Sequence, residues 1–508
     1  MFGTLRRLLL LLAIVTLPAV GIADEEIVKE FKKYFRKFKD TPSRVEAILS
    51  LEGTETVSVV DVLIPVLNDK EAEVREAAIG VLGRFKEPVP IAAIFVELEE
   101  SKKDTERLGL LQAIAIGSYK GPSESLIACL DDKSWDVRRR AIQALASRQE
   151  QASIPKFVEL TRDKESAVRC AALEGLTALN SREVLDPALV CLSDSVWQVR
   201  SSAIHALTVV RDAKSIEPLM AQMALEEGRL QADVGEALSE ITGKNFGQSL
   251  VNWQTWWERT KDRFVIPTDE ELAKARAARA EARERYKPSG QTSFHGIETP
   301  SRSILFIIDV SGSMEAEVVE RERFEDGEYP SYRRIDIVKT ELARTVEGLE
   351  SYVNYNILSF ATDISKWKKK LVPANVLNKK SAMDWAKGLE AIGGSSKEGL
   401  AGVGLTGSAN LEKGKTNTYG ALMAGLDIAA PGEKDKGYEV EVDTIFFLSD
   451  GRPTHGDLVD VDDILKKVNE ANELRKVVIH TIAIGEFQKS FMERLAKENG
   501  GVFVDLGR

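Results

Sequence analysis

Arg75, Arg107, Arg138, Arg169 and Arg200 recur at intervals of 32, 31, 31 and 31 residues. A fixed period of that length marks a stacked array and constrains the fold more than composition does. Four copies read Val-Arg (Val74-Arg75, Val137-Arg138, Val168-Arg169 and Val199-Arg200), each with an aspartate upstream and an alanine-rich segment downstream. Glu106-Arg107 is a degenerate copy, and Val234-Gly235-Glu236-Ala237-Leu238 is a last one without its arginine. Within one copy, residues 154–160 predict a first helix, Asp163-Lys164-Glu165 a turn, and residues 167–179 a second helix. In that second helix Val168, Ala171, Ala172, Leu176 and Leu179 share one face. Two helices of this length cannot bury a core alone, so neighbours must stack into an all-α solenoid over residues 41–246. The Asp and Arg of each copy are read as ion pairs, within or between copies, that orient the turns.

On that Asp…Val-Arg pattern, the array resembles HEAT repeats in the short form of the phycobilin-lyase group, over about six copies. The resemblance implies an extended binding surface and not an enzyme. Residues 24–40 carry Phe31, Tyr34, Phe35 and Phe38 at helical spacing and predict a capping helix on the first repeat. Residues 247–295 open with Trp253, Trp256 and Trp257, read as the closing cap. They continue into a run of Ala, Glu, Lys and Arg from 269 to 287, read as a solvated helical linker.

The first residues are Arg6-Arg7, an apolar run from Leu8 to Leu17, Pro18, and small residues before Asp24. This is the layout of a secretory signal peptide over 1–23, cleaved after Ala23. The run falls short of the about 20 residues a membrane span needs. The mature chain is therefore expected to be exported, to the periplasm, cell envelope or medium, with no transmembrane segment. A net charge of −11 without a basic stripe argues against nucleic acid as a partner. Cys129, Cys170 and Cys191 are too few for a disulfide framework and read as small core residues.

From 296 to 508 the pattern changes to apolar strands alternating with helices. Residues 303–308, 355–360, 444–448, 477–484 and 501–504 predict strands, and 335–349, 380–391, 419–428, 461–474 and 490–498 predict helices. Such alternation gives an α/β doubly wound, Rossmann-like domain with its crevice at the carboxyl ends of the strands. Asp309 and Asp450 stand at two of those ends. With Ser311, Ser313 and Thr416 they form an all-oxygen set suited to a hard cation, Mg2+ or Ca2+ (or Mn2+), and not to zinc or copper. Only two of the five are charged, so a bound dication keeps a positive field and room for a carboxylate from outside.

The run Asp309-Val310-Ser311-Gly312-Ser313, followed by Thr416 and by Asp450-Gly451, resembles the von Willebrand factor type A domain and its metal-ion-dependent adhesion site. The resemblance implies that the hydroxyls ligate directly, that the aspartates act largely through water, and that a partner's Asp or Glu completes the metal's shell. Lys415 departs from the family, which has glycine there, and Thr418 is the fallback ligand. His455 is read as a loop residue. The insertion 315–334 carries Glu315, Glu317, Glu320, Glu322, Glu325, Asp326 and Glu328 and reads as an acidic rim that selects partners or recruits a second cation. The Gly/Ser-rich stretch 393–408 reads as a flexible loop.

No nucleophile elbow, zinc helix, P-loop or catalytic cysteine constellation occurs, and His205, His295, His455 and His480 share no motif. The chain is therefore read as a non-enzyme: an exported adhesion or scaffold protein that binds protein partners through a divalent cation, with the repeats as a second surface. The alternative is a non-catalytic regulatory subunit of a chelatase- or ATPase-like complex. Subunits of that kind work in the cytoplasm, which the signal segment argues against.

Overall fold

The computed structural model describes residues 21–285, 292–392, 414–429, 441–485 and 489–506. Nearly all of the expected signal peptide and the whole of 393–408 lie outside them. The chain divides into two compact units, residues 1–215 and 216–508.

In the first unit, a helix Gly21–Tyr34 packs on Val57–Leu63, with Val28 and Phe31 buried, and paired helices follow. The long helix of each repeat, such as Trp135–Ser147, Ser166–Ala178 and Trp197–Val210, buries the alanine-rich face read from the sequence. Cys129, Cys170 and Cys191 are buried and form no disulfide among the described residues.

The recurring arginine has two tasks. Arg138 Nη1 donates to the carbonyls of Asp132 and Lys133, at 2.8 and 3.2 Å, closing the turn that precedes its own helix. Its Nε and Nη2 then grip the carboxylate of Asp163, 25 residues on, at 2.9 and 2.8 Å. Arg169 repeats both, with Asp163 and Lys164 carbonyls behind it and Asp194 ahead at 2.7 Å. Arg107–Asp132 and Arg44–Asp69 are further rungs at the same 25-residue separation. Each aspartate also accepts a backbone N–H two residues later, as Asp163 does from Glu165 at 2.8 Å. Carboxylate, guanidinium and turn are thus one unit, and the pairs run between repeats. Arg200 likewise holds the carbonyls of Asp194 and Ser195, at 3.0 and 3.3 Å.

The second unit begins with the last two helices of the array, Ile216–Met223 and Gly228–Thr242. Leu250–Thr260 packs on the first of these: Trp253 Nε1 donates to Gly247 O at 2.8 Å and Trp257 Nε1 to Glu217 Oε1 at 2.9 Å. The charged helix Asp269–Arg285 is not the free spacer its composition predicts. Leu272 is buried, and Arg276 and Arg279 both pair with Glu240 on Gly228–Thr242. Arg229 Nη1 donates to the carbonyls of Asp443 and Lys476, at 3.0 and 2.7 Å, just before two strands of the sheet.

That sheet uses β3 (Ser303–Asp309), β4 (Asn354–Phe360), β5 (Ile364–Lys366), β6 (Val372–Pro373), β7 (Thr444–Ser449), β8 (Val478–Ala483) and β9 (Phe503–Asp505). Its order is β5-β4-β3-β7-β8-β9, with β6 also on β4. Neighbours are parallel except β5 and β6, which run antiparallel along the β4 edge. Along β3, Ile304, Phe306 and Ile308 pack under Arg334–Gly348 and Val376–Lys387. Leu305 and Ile307 face the core beneath Thr418–Ala429, Val461–Asn472 and Lys489–Glu498. Helices cover both faces, as the continuous apolar strands require.

A hairpin, β1 (Thr292–Phe294) and β2 (Ile297–Thr299), straddles the boundary expected at 296. Its Phe294 packs edge-on against Phe306 and Phe446 at 5.2 and 5.6 Å, so the hairpin belongs to the core. The turn residues His295 and Gly296 have φ of 48° and 81°, the left-handed pair that a two-residue hairpin needs.

His480 lies stacked on Phe446, and its Nδ1 accepts the Val502 N–H at 3.0 Å. Burial, with Arg229 nearby, pushes its pKa down to about 4. An unfolded histidine binds a proton below about 6.5, so this group favours the fold above that pH and loses its contribution as pH falls toward 4. The stability advantage of wild type over His480→Gln, which cannot titrate, shrinks by up to roughly 3 kcal/mol between pH 7 and 4. Urea melts at the two pH values measure it; a pH-independent difference refutes it.

Candidate metal centre

The chain leaves β3 toward one face of the sheet and β7 toward the other, so the crevice opens between their carboxyl ends. Asp309 ends β3 and is fully buried. Its Oδ1 accepts the Ser311 N–H at 2.8 Å, and its Oδ2 accepts the Ser449 hydroxyl at 2.5 Å. The Ser311 and Ser313 hydroxyls lie 3.2 Å apart, and Ser313 Oγ donates to Asp450 Oδ1 at 2.7 Å. Thr416 reaches the same place from the loop before Thr418–Ala429. A Cβ built on Gly451 would sit 3.1 Å from Thr416 Oγ1 and 3.3 Å from Ser313 Oγ. Gly451 therefore leaves open a small space rimmed by hydroxyls. The structure brings all five residues together, with Ser313 exposed at the mouth.

The Thr416 loop is clasped on both sides. Thr416 N donates to Thr454 Oγ1 at 2.9 Å, and Thr416 O accepts from the backbones of Thr454 and His455 at 3.0 and 3.3 Å. Lys415 N donates to Thr362 Oγ1 at 3.1 Å. Thr418, the fallback, starts the next helix and has a buried hydroxyl with no hydrogen-bond partner among the described residues.

Arg334 belongs to this centre and carries no motif that announces it. It starts the helix Arg334–Gly348, and its Nη1 lies 2.8 Å from Asp450 Oδ2, with the Asp450 side chain fully buried. Gly485, at φ +142°, makes room, since a Cβ there would meet the guanidinium carbon at 2.9 Å. Ser449 is a second residue that the sequence reading passed over.

Burial, and then the charge of Asp450, push the Asp309 pKa up to about 7. Burial also raises Asp450, against Ser313 and Arg334, which pull it down. Two buried carboxylates thus share one guanidinium, and each is driven toward its protonated form by burial. The donor set of carboxylate and hydroxyl oxygens fits a hard divalent cation. Among the described residues, no three His, Cys, Asp or Glu side chains gather as a metal site of another type.

The acidic insertion is ordered and partly neutralised. Val318 and Phe324 anchor it in the core, Val318 N donates to Tyr332 O at 2.9 Å, and Arg321 and Arg323 pair with Glu317 and Glu320. Two glutamates of the acidic rim are thus paired by the insertion's own arginines.

The family description HEAT repeats matches residues 123–208 and 158–239, and von Willebrand factor type A domain matches 327–403 and 410–505. The second match starts beyond β3, so Asp309, Ser311 and Ser313 lie outside it. Among curated proteins, the chain is 26% identical over 209 residues to inter-alpha-trypsin inhibitor heavy chain H4 of Homo sapiens, covering 41% of this chain and 18% of that one. It is also 26% identical over 206 residues to heavy chain H1 of Mesocricetus auratus, covering 40% and 18%. The chain thus spans under a fifth of the length of these relatives. Among solved structures, the complex of CpcE and CpcF of phycocyanin lyase from Nostoc aligns at TM-score 0.25 and 16% identity, over 47% of this chain and 97% of that one. Proximal thread matrix protein 1 of the mussel byssus, with a zinc-occupied MIDAS motif, aligns at TM-score 0.24 and 13% identity, over 40% and 43%. Both scores are low, and the fold rests on the chain's own strand order and repeat spacing. By its repeats and its sheet, the chain carries HEAT repeats followed by a von Willebrand factor type A domain.

Proposed function

We propose that this is an exported, non-catalytic binding protein whose C-terminal domain grips an acidic group of a protein partner through one divalent cation. Asp309, Ser311, Ser313, Thr416 and Asp450 would hold Mg2+, or Ca2+ or Mn2+ in its place. The cation supplies a Lewis-acidic position for an outside carboxylate. The observation that carries the reading is the space beside Gly451, rimmed by Thr416 Oγ1 and Ser313 Oγ and open at Ser313. This chain's own groups preorganise that space. Ser449 and the Ser311 N–H fix Asp309, and Arg334 and Ser313 fix Asp450.

The repeats offer a second surface for a second partner. Relatives named as heavy chains of an inhibitor support binding over catalysis. Export rests on the composition of residues 1–23, and among the described residues no helix is long and apolar enough to cross a membrane.

Pull-down from envelope extract tests the reading. Capture in Mg2+ is lost on adding EDTA and in Asp309→Ala, while titration calorimetry shows one dication site in wild type only. Partner capture that survives both changes moves binding to the repeats and ends the metal reading.

A further inference from the structure

Residues 364–383 contain six lysines and no acidic residue, in a chain of net charge −11. They form the edge of the sheet and the start of the helix beside it. β5 pairs Lys366 with Leu358 of β4, and β6 pairs Val372 with Tyr355, so both belong to one interrupted edge strand. Between them the Asn356 side chain replaces the ladder: its Oδ1 accepts from Lys368 N at 3.1 Å, and its Nδ2 donates to Lys368 O at 2.8 Å. The edge bulges there, and Lys369 and Lys370 stand exposed. Trp367 roots the bulge by stacking on Tyr355 at 5.3 Å, and Lys368 lies over the Trp367 ring.

Six residues further on, the helix Val376–Lys387 opens with Val376 and Leu377, which are 81% and 80% exposed. Lys379 and Lys380 follow them. Lysines alone have a bland explanation, because edge strands carry them to block pairing with other chains. That explanation leaves two adjacent, solvated aliphatic side chains beside them unaccounted for. Cations with neighbouring aliphatics fit a surface that is anionic outside and apolar just beneath, which nucleic acid and polysaccharide are not.

We infer that this edge docks on an anionic phospholipid membrane, the lysines meeting headgroup phosphates and Val376 and Leu377 entering the acyl boundary. The placement has a use. β6 pairs with the first residues of β4, whereas the last, Phe360, accepts the Val310 N–H beside the metal loop. Val376 and Leu377 therefore lie toward the opposite end of the sheet from Asp309 and Asp450. A membrane docked there leaves the metal centre facing away, free for a partner.

Co-sedimentation of the full chain with vesicles tests this, in EDTA so that no cation bridges protein to lipid. The readout is the ratio of binding to phosphatidylcholine vesicles containing phosphatidylglycerol over binding to phosphatidylcholine alone. The ratio exceeds ten at physiological salt and falls at high salt. It drops about tenfold or more in the triple variant Lys368→Glu, Lys369→Glu, Lys370→Glu, since each lysine contributes about fivefold at such a surface. The double variant Val376→Ser, Leu377→Ser lowers it too, and these exposed positions leave the melting temperature unchanged. Asp309→Ala leaves the ratio intact, which separates this surface from the metal centre. A ratio near one in wild type, equal ratios in all variants, or retention of DNA in place of vesicles overturns the inference.

Discussion

Replacing Arg334 with glutamine lowers the stability of the metal-free protein by about 3 kcal/mol and at the same time tightens its hold on Mg2+ roughly tenfold. The two effects share one cause. Arg334 is mostly buried and pairs with a fully buried Asp450 carboxylate. Without the guanidinium that carboxylate has Ser313 as its remaining side-chain partner, and a buried charge stripped of its counter-ion is costly. A dication arriving at the centre would supply the missing charge and no longer meet a competing cation on Asp450. Thermal melts with and without Mg2+, together with calorimetric affinities, resolve the pair. A merely structural role for Arg334 lowers both melts equally and leaves the affinity alone.

Arg138→Ala lowers the stability of the first unit by about 3–4 kcal/mol. The Arg138 and Asp163 side chains are 7% and 9% exposed, so the substitution leaves a carboxylate desolvated and unpaired. It also frees the carbonyls of Asp132 and Lys133, which the same guanidinium holds. Arg138→Lys restores charge but not the two-pronged geometry and recovers only part of the loss. Arg182→Ala serves as the contrast. Its pair with Asp212 lies on the surface, with Arg182 76% exposed, and the change stays within about 0.5 kcal/mol. Urea unfolding of the three variants checks the ranking, and equal effects of Arg138→Ala and Arg182→Ala would contradict it.

The repeat was legible because its physics is periodic. A turn that needs an aspartate and an arginine at fixed offsets writes both into the chain every 31 residues, as at Asp163 and Arg169. The strands were legible because burial on both faces demands apolar runs, as in residues 304–308. Asp309 and Asp450 followed from standing at the ends of such runs. Arg334 did not, since nothing local marks an arginine that reaches 116 positions along the chain to its partner. The edge strands β5 and β6 escaped notice because an edge strand needs no apolar run. The β1–β2 hairpin was missed because His295-Gly296 is not the usual Asn-Gly or Asp-Gly turn. The helix placed at 380–391 begins four residues earlier, at Val376. Asn375 caps it by accepting the Asn378 N–H at 2.9 Å, a polar cap present in the sequence and overlooked.

Arg229 has a consequence for how such a chain can change length. Its guanidinium ties the last helix of the array to the segments that begin β7 and β8, and residues from 216 onward cohere as one body. Upstream of that body, the Arg138–Asp163 and Arg169–Asp194 rungs repeat the same contacts. Duplicating or deleting a 31-residue module there presents each new junction with the partners it already expects. Repeat number is thus a heritable dial, turned in whole clicks, while the sheet-bearing end stays as it was.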